Sequence, residues 1–283
     1  MKALLYLLLG LWCGQLLAAP ALWQATRGSQ QLWLFGSVHI ADERLDPLPP
    51  PLLHALAHSE LLLLEVDPLG IDPGSFAHLL QPGASWQDRL GPRLAEKLEQ
   101  AVARSGQSQL RRLPPWFATL QLTQYRAAEL GFHSRQGVDM QLRLLARERG
   151  LPVAGLEQPS MVMGLLASLH ERGLEQDFVE HILQELEQMQ AHLNHLLDAW
   201  LKGDEQTLLA LLQEQQSPAL TRFIEQELLT RRNHLWLQRL EQLAPQRALM
   251  VVGALHLYGD RGLVSLLKQA GYTLVKHEDK PLY

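Results

Sequence analysis

Leu32–Ile40 reads LWLFGSVHI, and Leu249–Leu257 reads LMVVGALHL: an apolar run, then Gly-x-x-His, then another apolar residue, written twice in one chain. A continuous apolar run of this length fits a strand buried on both faces. Gly36 and Gly253 sit where each run ends, and a residue without Cβ lets the backbone turn sharply or approach a neighbour closely. His39 and His256 then fall just beyond the carboxyl ends of two strands, the edge at which open α/β sheets bind ligands. Two further runs have the same build. LLLLEVD, Leu61 to Asp67, ends in the carboxylates Glu65 and Asp67, which share a strand face by the period of two. LPVAGLE, Leu151 to Glu157, likewise ends in a carboxylate, Glu157.

Between these runs the pattern is helical. Ala21–Arg27 and Gln31–Gly36 flank Gly28-Ser29 and read as a hairpin. Pro49–Pro51 can open a helix to about Ser59. Helices are expected over Trp86–Gly106, Pro114–Leu130 and Val138–Arg149, the last two stopped by Gly131 and Gly150. From Pro159 to Leu243 the reading is helical throughout, and Tyr258–Gln269 followed by a strand Tyr272–Lys276 closes the chain. The expected fold is α/β: a mixed, mainly parallel central sheet flanked by helices, with a large helical insertion or cap over about 159–243. No low-complexity linker divides residues 20–283, so they read as one interrupted domain.

The 283 residues carry a formal net charge of -5 and no basic run beyond Arg111-Arg112 and Arg231-Arg232, which argues against nucleic acid as a partner. Residues 1–19 read as an export signal: Lys2, an apolar stretch Leu4–Leu17, then Ala18-Ala19. The stretch is short for a retained membrane span, so no stable anchor is expected after cleavage and the mature protein should be periplasmic or secreted. The one cysteine, Cys13, would leave with the signal. Any metal must then be held by histidines and carboxylates.

His39, His256 and Glu65, each at the end of a buried run, would make a sound site for Zn, Mn, Fe or Co, with room left for a water. A lone Gly-x-x-His is more often a hydrogen-bonded strand end; two copies on matched runs, together with LLLLEVD, favour a site. A metal-free reading uses the same residues, with one His as a general base oriented by Glu65. Glu157 is a candidate for the site's surroundings or a salt-bridging carboxylate, and Asp139 reads as a first-turn acid of its helix. Arg232 and Asn233 could bind a substrate carboxylate or oxyanion, or lie on a solvated helix face; Tyr258 could also steady an oxyanion. His192 and His195, three apart on a long helix, read as surface residues.

The ordered set FGSVHI, LLLLEVD, QGVDMQL, VAGLEQ, DAWLKGD, RRNHLW and VVGALHLYGDRGLVSLLKQAGY resembles the TraB/PrgY/GumN family, which includes the TIKI proteases. The resemblance spans about Trp23 to Tyr272, and exported bacterial GumN-like members look nearest. It implies an active constellation of two Gly-x-x-His histidines and a glutamate, here His39, His256 and Glu65, with Arg232-Asn233 matching a recurring Arg-Asn pair. It implies a fold similar to haem-binding ChaN and the erythromycin esterases, and a divalent metal, Mn or Co, to which the donor types add Zn. The function to expect is a metal-dependent hydrolase acting on a peptide or protein. The alternatives are a module that binds a peptide or haem without turnover, and a metal-free esterase with a His base.

Overall fold

A computed structural model describes residues 20–81, 83–213 and 217–277; the expected export signal, residues 1–19, lies outside the described residues. The chain opens with β1 (Leu22–Arg27) and β2 (Gln30–Ser37), an antiparallel hairpin in which Arg27 pairs with Gln30. Gly28 takes φ 59° in its turn, a left-handed conformation that favours glycine. Then follow α1 (Pro50–Ala57) and β3 (Leu61–Leu64). Four helices separate β3 from the next strand: α2 (Trp86–Leu90), α3 (Pro92–Ser105), α4 (Pro115–Glu129) and α5 (Val138–Glu148). The short β4 (Val153–Gly155) leads into α6 (Pro159–Ala167), α7 (Glu175–Leu201), α8 (Glu205–Gln213) and α9 (Pro218–Phe223). A π-helical segment, Ile224–Arg231, joins α9 to α10 (Arg232–Leu243). The chain ends with β5 (Arg247–Gly253), α11 (Leu263–Gln269) and β6 (Thr273–Lys276).

The strands form one six-stranded sheet in the order β4-β3-β5-β2-β1-β6. The first four are mutually parallel, and β1 is antiparallel to both of its neighbours. The α/β reading therefore holds, with a mixed, mostly parallel sheet. The two copies of the repeated phrase lie side by side: Leu32 pairs with Ala248, Gly36 with Val252 and Ser37 with Gly253. The apolar runs become strands because helices cover both sheet faces; Leu62–Leu64 and Ala248–Val252 are fully buried. At the far edge β6 is thinly covered, and Val275 is exposed.

A second apolar cluster lies away from the sheet, built from α2, α3, α4, α7 and α9 around Leu98, Trp116, Val179 and Leu220. The buried Glu175 ties it together, accepting from Arg89 Nε at 2.8 Å, from Arg89 Nη2 at 2.6 Å and from the Trp116 amide at 3.3 Å. The helical layer thus draws on the β3–β4 connection as well as on the expected 159–243 stretch. Other boundaries also shift. The strand read over Leu151–Glu157 contracts to Val153–Gly155. The helix read from Tyr258 begins only at Leu263, because Gly259 takes φ 77° and interrupts it. A Cβ at Gly262 would stand 2.2 Å from the Tyr258 carbonyl oxygen, so that tight turn requires glycine. No helix among the described residues is long and apolar enough to cross a membrane.

Candidate active site

Four parallel strands end at one edge, and each delivers a polar residue there: Glu157 after β4, Glu65 after β3, His256 after β5 and His39 after β2. The His39 and His256 Nε2 atoms each stand 3.8 Å from the same oxygen, Glu65 Oε1. His39 is at the mouth, its side chain 59% exposed, whereas His256 is buried.

The two glycines of the repeated phrase serve different ends. A Cβ at Gly36 would lie 2.8 Å from Leu257 Cδ1 and 3.0 Å from the Ala254 backbone, so Gly36 admits the turn that carries His256. A Cβ at Gly253 would fall among the donors, 3.3 Å from Glu65 Oε1, 3.5 Å from His39 Nε2 and 3.8 Å from His256 Cδ2. Glycine at 253 keeps that space open. The Gly253 amide also donates to Glu65 Oε1 at 2.7 Å.

Both imidazoles are oriented from behind. His39 Nδ1 donates to Asp139 Oδ2 at 2.9 Å, and the buried Ser37 hydroxyl donates to the other Asp139 oxygen at 3.1 Å. His256 Nδ1 donates to Asn233 Oδ1 at 2.7 Å, while the Asn233 amide donates to the carbonyls of His256 and Arg261. With Nδ1 protonated in each ring, Nε2 of a neutral imidazole carries its lone pair toward Glu65, as His256 does near neutral pH and His39 does once its second proton is lost.

Arg232 is the buried cation of the cluster. Its Nη2 donates to Glu65 Oε2 at 2.6 Å and also bonds Glu157. Its Nε reaches both Glu157 oxygens at 3.1 Å, and its Nη1 faces the Leu228 carbonyl and His256 Nε2 at 3.0 and 3.3 Å. The guanidinium lies 4.7 Å over the Trp236 ring, and that ring packs 4.3 Å from the His256 ring.

The charges bias one another. Asp139 raises the His39 pKa to about 9. Burial lowers His256 to about 3. Burial alone would push Glu65 up, but His39, His256, Arg232 and the Gly253 N–H together hold it down to about 2. Glu157 is pushed up by burial, with Arg232 opposing.

The structure thus brings His39, Glu65, His256, Arg232, Asn233, Glu157 and Asp139 together. Neither Arg232 nor Asn233 lies on a solvated helix face. The side chain of Asn233 is fully used in holding His256 and its loop, so it orients a histidine and has no free donor for an oxyanion. Asp139 is both a first-turn acid of α5 and the partner of His39. Tyr258 makes no hydrogen bond to the cluster among the described residues; burial and the charge of Glu205 push its phenol up to about 12. Asp67 turns away and accepts from Arg143 at 2.6 Å. His192 stays apart, paired with Glu185 on its own helix.

Ser37, Gly253 and Trp236 went unread in the sequence as parts of the site. Ser37 had a signal: a hydroxyl inside a buried apolar run needs a partner. Trp236 stands four residues after Arg232, one turn along the same helix face.

The donor set suits a divalent cation that displaces the His39 proton: two imidazole Nε2 atoms, each ring fixed from its far nitrogen, and one carboxylate beside a space held open by glycine. Two donors bound at ~2.1 Å to one tetrahedral ion stand roughly 3.4 Å apart, so separations of 3.8 Å would close by a few tenths of an ångström. Among the described residues no three such side chains already stand at bonding distance around one point.

Residues 21–276 match the TraB/PrgY/gumN family model. The chain is 28% identical over 263 residues to the uncharacterized protein YbaP of Escherichia coli K12, covering 87% of this chain and 97% of that protein. The YbaP protein of Shigella flexneri matches to the same extent. No solved structure matches. The family model takes in nearly all of the chain, including all four strand ends at the charged edge, and the protein belongs to the TraB/PrgY/gumN family.

Proposed function

We propose that this protein is a metal-dependent hydrolase of peptides, acting outside the cytoplasm as the export signal implies. The observation that carries the reading is the meeting of His39 Nε2 and His256 Nε2 at one oxygen of Glu65, beside the opening left by Gly253. His39, His256 and Glu65 would hold the ion, with Mn, Co and Zn the cations to try. A cation held there supplies a Lewis acid and lowers the pKa of water to about 7.

The rest is the work of the chain's own residues. Asp139 and Asn233 hold the two rings so that Nε2, not Nδ1, faces the opening. Arg232 keeps Glu65 ionised and fixed from behind, and Glu157 in turn fixes Arg232. The Arg232 Nη1 donor that now faces His256 Nε2 is the one available to a substrate oxygen developing negative charge.

Cleavage of a labelled peptide should require added cation and fall by at least about a hundredfold in His39→Ala and in His256→Ala. Full cleavage retained in both variants would end the reading. The His39–Asp139 pair at 2.9 Å also supports a second reading, a metal-free hydrolase with His39 as base, its activity rising as His39 loses its proton toward pH 9. Activity that survives exhaustive chelation but not Asp139→Asn would favour it.

A further inference from the structure

Next to Ala41, two residues beyond His39, lies an open cleft of about 780 Å³, walled by the segment around Phe132–Gln136 and by one face of α4. Its wall is bound to the stretch that carries His39. His133 and Ala41 exchange two backbone hydrogen bonds, of 2.8 and 3.3 Å, and the Val138 amide donates to the Val38 carbonyl at 3.1 Å. A Cβ at Gly137 would stand 2.1 Å from the His39 carbonyl oxygen, so the two segments run in direct backbone contact. Gln136 lines the cleft, and Asp139, the partner of His39, follows it in the same segment.

The lining is rich in amides: Gln121 and Gln124 from α4, and Gln136 opposite. Tyr125 and Phe132 add aromatic surface, and Arg135 is its one permanently charged member. Gln136 Oε1 is shielded from solvent and has no hydrogen-bond partner, although the Gln136 backbone carbonyl is satisfied by Gln141 Nε2 at 2.8 Å. A buried acceptor without a donor is costly and calls for an explanation. The last torsion of a glutamine is soft, so rotation about it is open to this side chain, which lines the cleft. Amides beside aromatic rings, with little charge, suit a neutral main chain better than a phosphate or a sugar acid.

We propose that this cleft is the subsite for the peptide chain flanking the scissile bond, and that Gln136 Oε1 accepts a main-chain N–H of the substrate. The proposal rests on the peptidase reading above. The test uses a short, unstructured, fluorescein-labelled peptide and copies N-methylated at one residue each. One N-methylated copy should bind wild type roughly three- to tenfold more weakly. Gln136→Met should lose the same factor on the parent peptide and be indifferent to that methyl group, with KM raised and kcat held. Relieved of an unpaired acceptor, Gln136→Met should also melt about 2–4 °C higher, a shift opposite to that of a structural residue. Equal affinity of wild type and Gln136→Met for the parent peptide, or no saturable binding to wild type, overturns the subsite. Binding that depends on Gln136 without cleavage under any cation keeps the subsite and removes the peptidase; cleavage indifferent to Gln136 does the reverse.

Discussion

At the scale of single residues, Gly36 and Gly253 hold the same place in a repeated phrase, yet substitution should separate them. A methyl at Gly36 meets the Ala254 backbone at 3.0 Å, and a backbone cannot step aside as a side-chain tip can. Gly36→Ala should therefore cost about 1–3 kcal/mol of stability by overpacking, read by denaturant unfolding. A methyl at Gly253 meets only side-chain atoms, the nearest being Glu65 Oε1 at 3.3 Å. Gly253→Ala should unfold near the wild-type midpoint but lose activity by roughly ten- to a hundredfold, because the reacting groups are pushed apart. A fully active Gly253→Ala would show that the space among His39, Glu65 and His256 is not used. Glu157 gives a second residue-scale prediction. Its carboxylate is wholly buried and accepts three bonds from Arg232. Glu157→Gln leaves the guanidinium short of a counter-charge and should destabilise the fold by about 3–5 kcal/mol, with loss of activity following from the loosened Arg232.

At the scale of elements, the strand ends were legible and the means of assembling them were not. The apolar runs of β2, β3 and β5, each followed by His or Glu, announced both the buried sheet and its working edge, because burial on two faces leaves an unmistakable composition. The link from His39 to Asp139 spans 100 residues, and nothing in a local pattern fixes a contact at that range. Asn233 read as a free donor because a sequence shows that an amide exists, not that His256 and Arg261 already use it through three hydrogen bonds. The π-helical Ile224–Arg231 had no local signature either, since its residues also suit an ordinary α-helix. That wide turn sets the angle at which Arg232 enters the cluster, and such turns recur at functional sites. Inserting an alanine after the exposed Gln226 adds a residue that the already widened segment has no room to absorb, and should swing Arg232 by roughly 100° about the axis. Circular dichroism should keep its helical signal, while the stranded Glu65 and Glu157 lower stability by about 3–5 kcal/mol and abolish activity. An insertion variant that unfolds and cleaves like wild type would detach the phase of this segment from function.

At the scale of the whole molecule, the charged edge makes the stability of the metal-free protein depend on pH in opposite senses on either side of neutrality. His39 is raised from 6.5 to about 9, so its contribution is complete below pH 6.5 and is lost as pH rises through 9. That limb should be shallow, because a side chain 59% exposed is screened by solvent. His256 is lowered to about 3, so the unfolded chain takes up a proton below pH 6.5 that the folded one refuses, and stability falls from pH 6.5 toward 3. Glu65, held at about 2, contributes above pH 4.5 and loses that contribution as pH falls toward 2. Glu157, pushed up by burial, opposes the acid limb in part. The largest effects come from the buried groups, so denaturant unfolding of the chelated protein should show a maximum near pH 6–7 with a steeper acid side. His256→Gln should flatten the limb between pH 6.5 and 3, and His39→Gln the limb above pH 6.5. Stability that climbs steadily as pH falls from 6.5 to 4 would mean that His256 takes up its proton in the folded state, and that its Nε2 is not the free lone pair on which the chemistry at this edge depends.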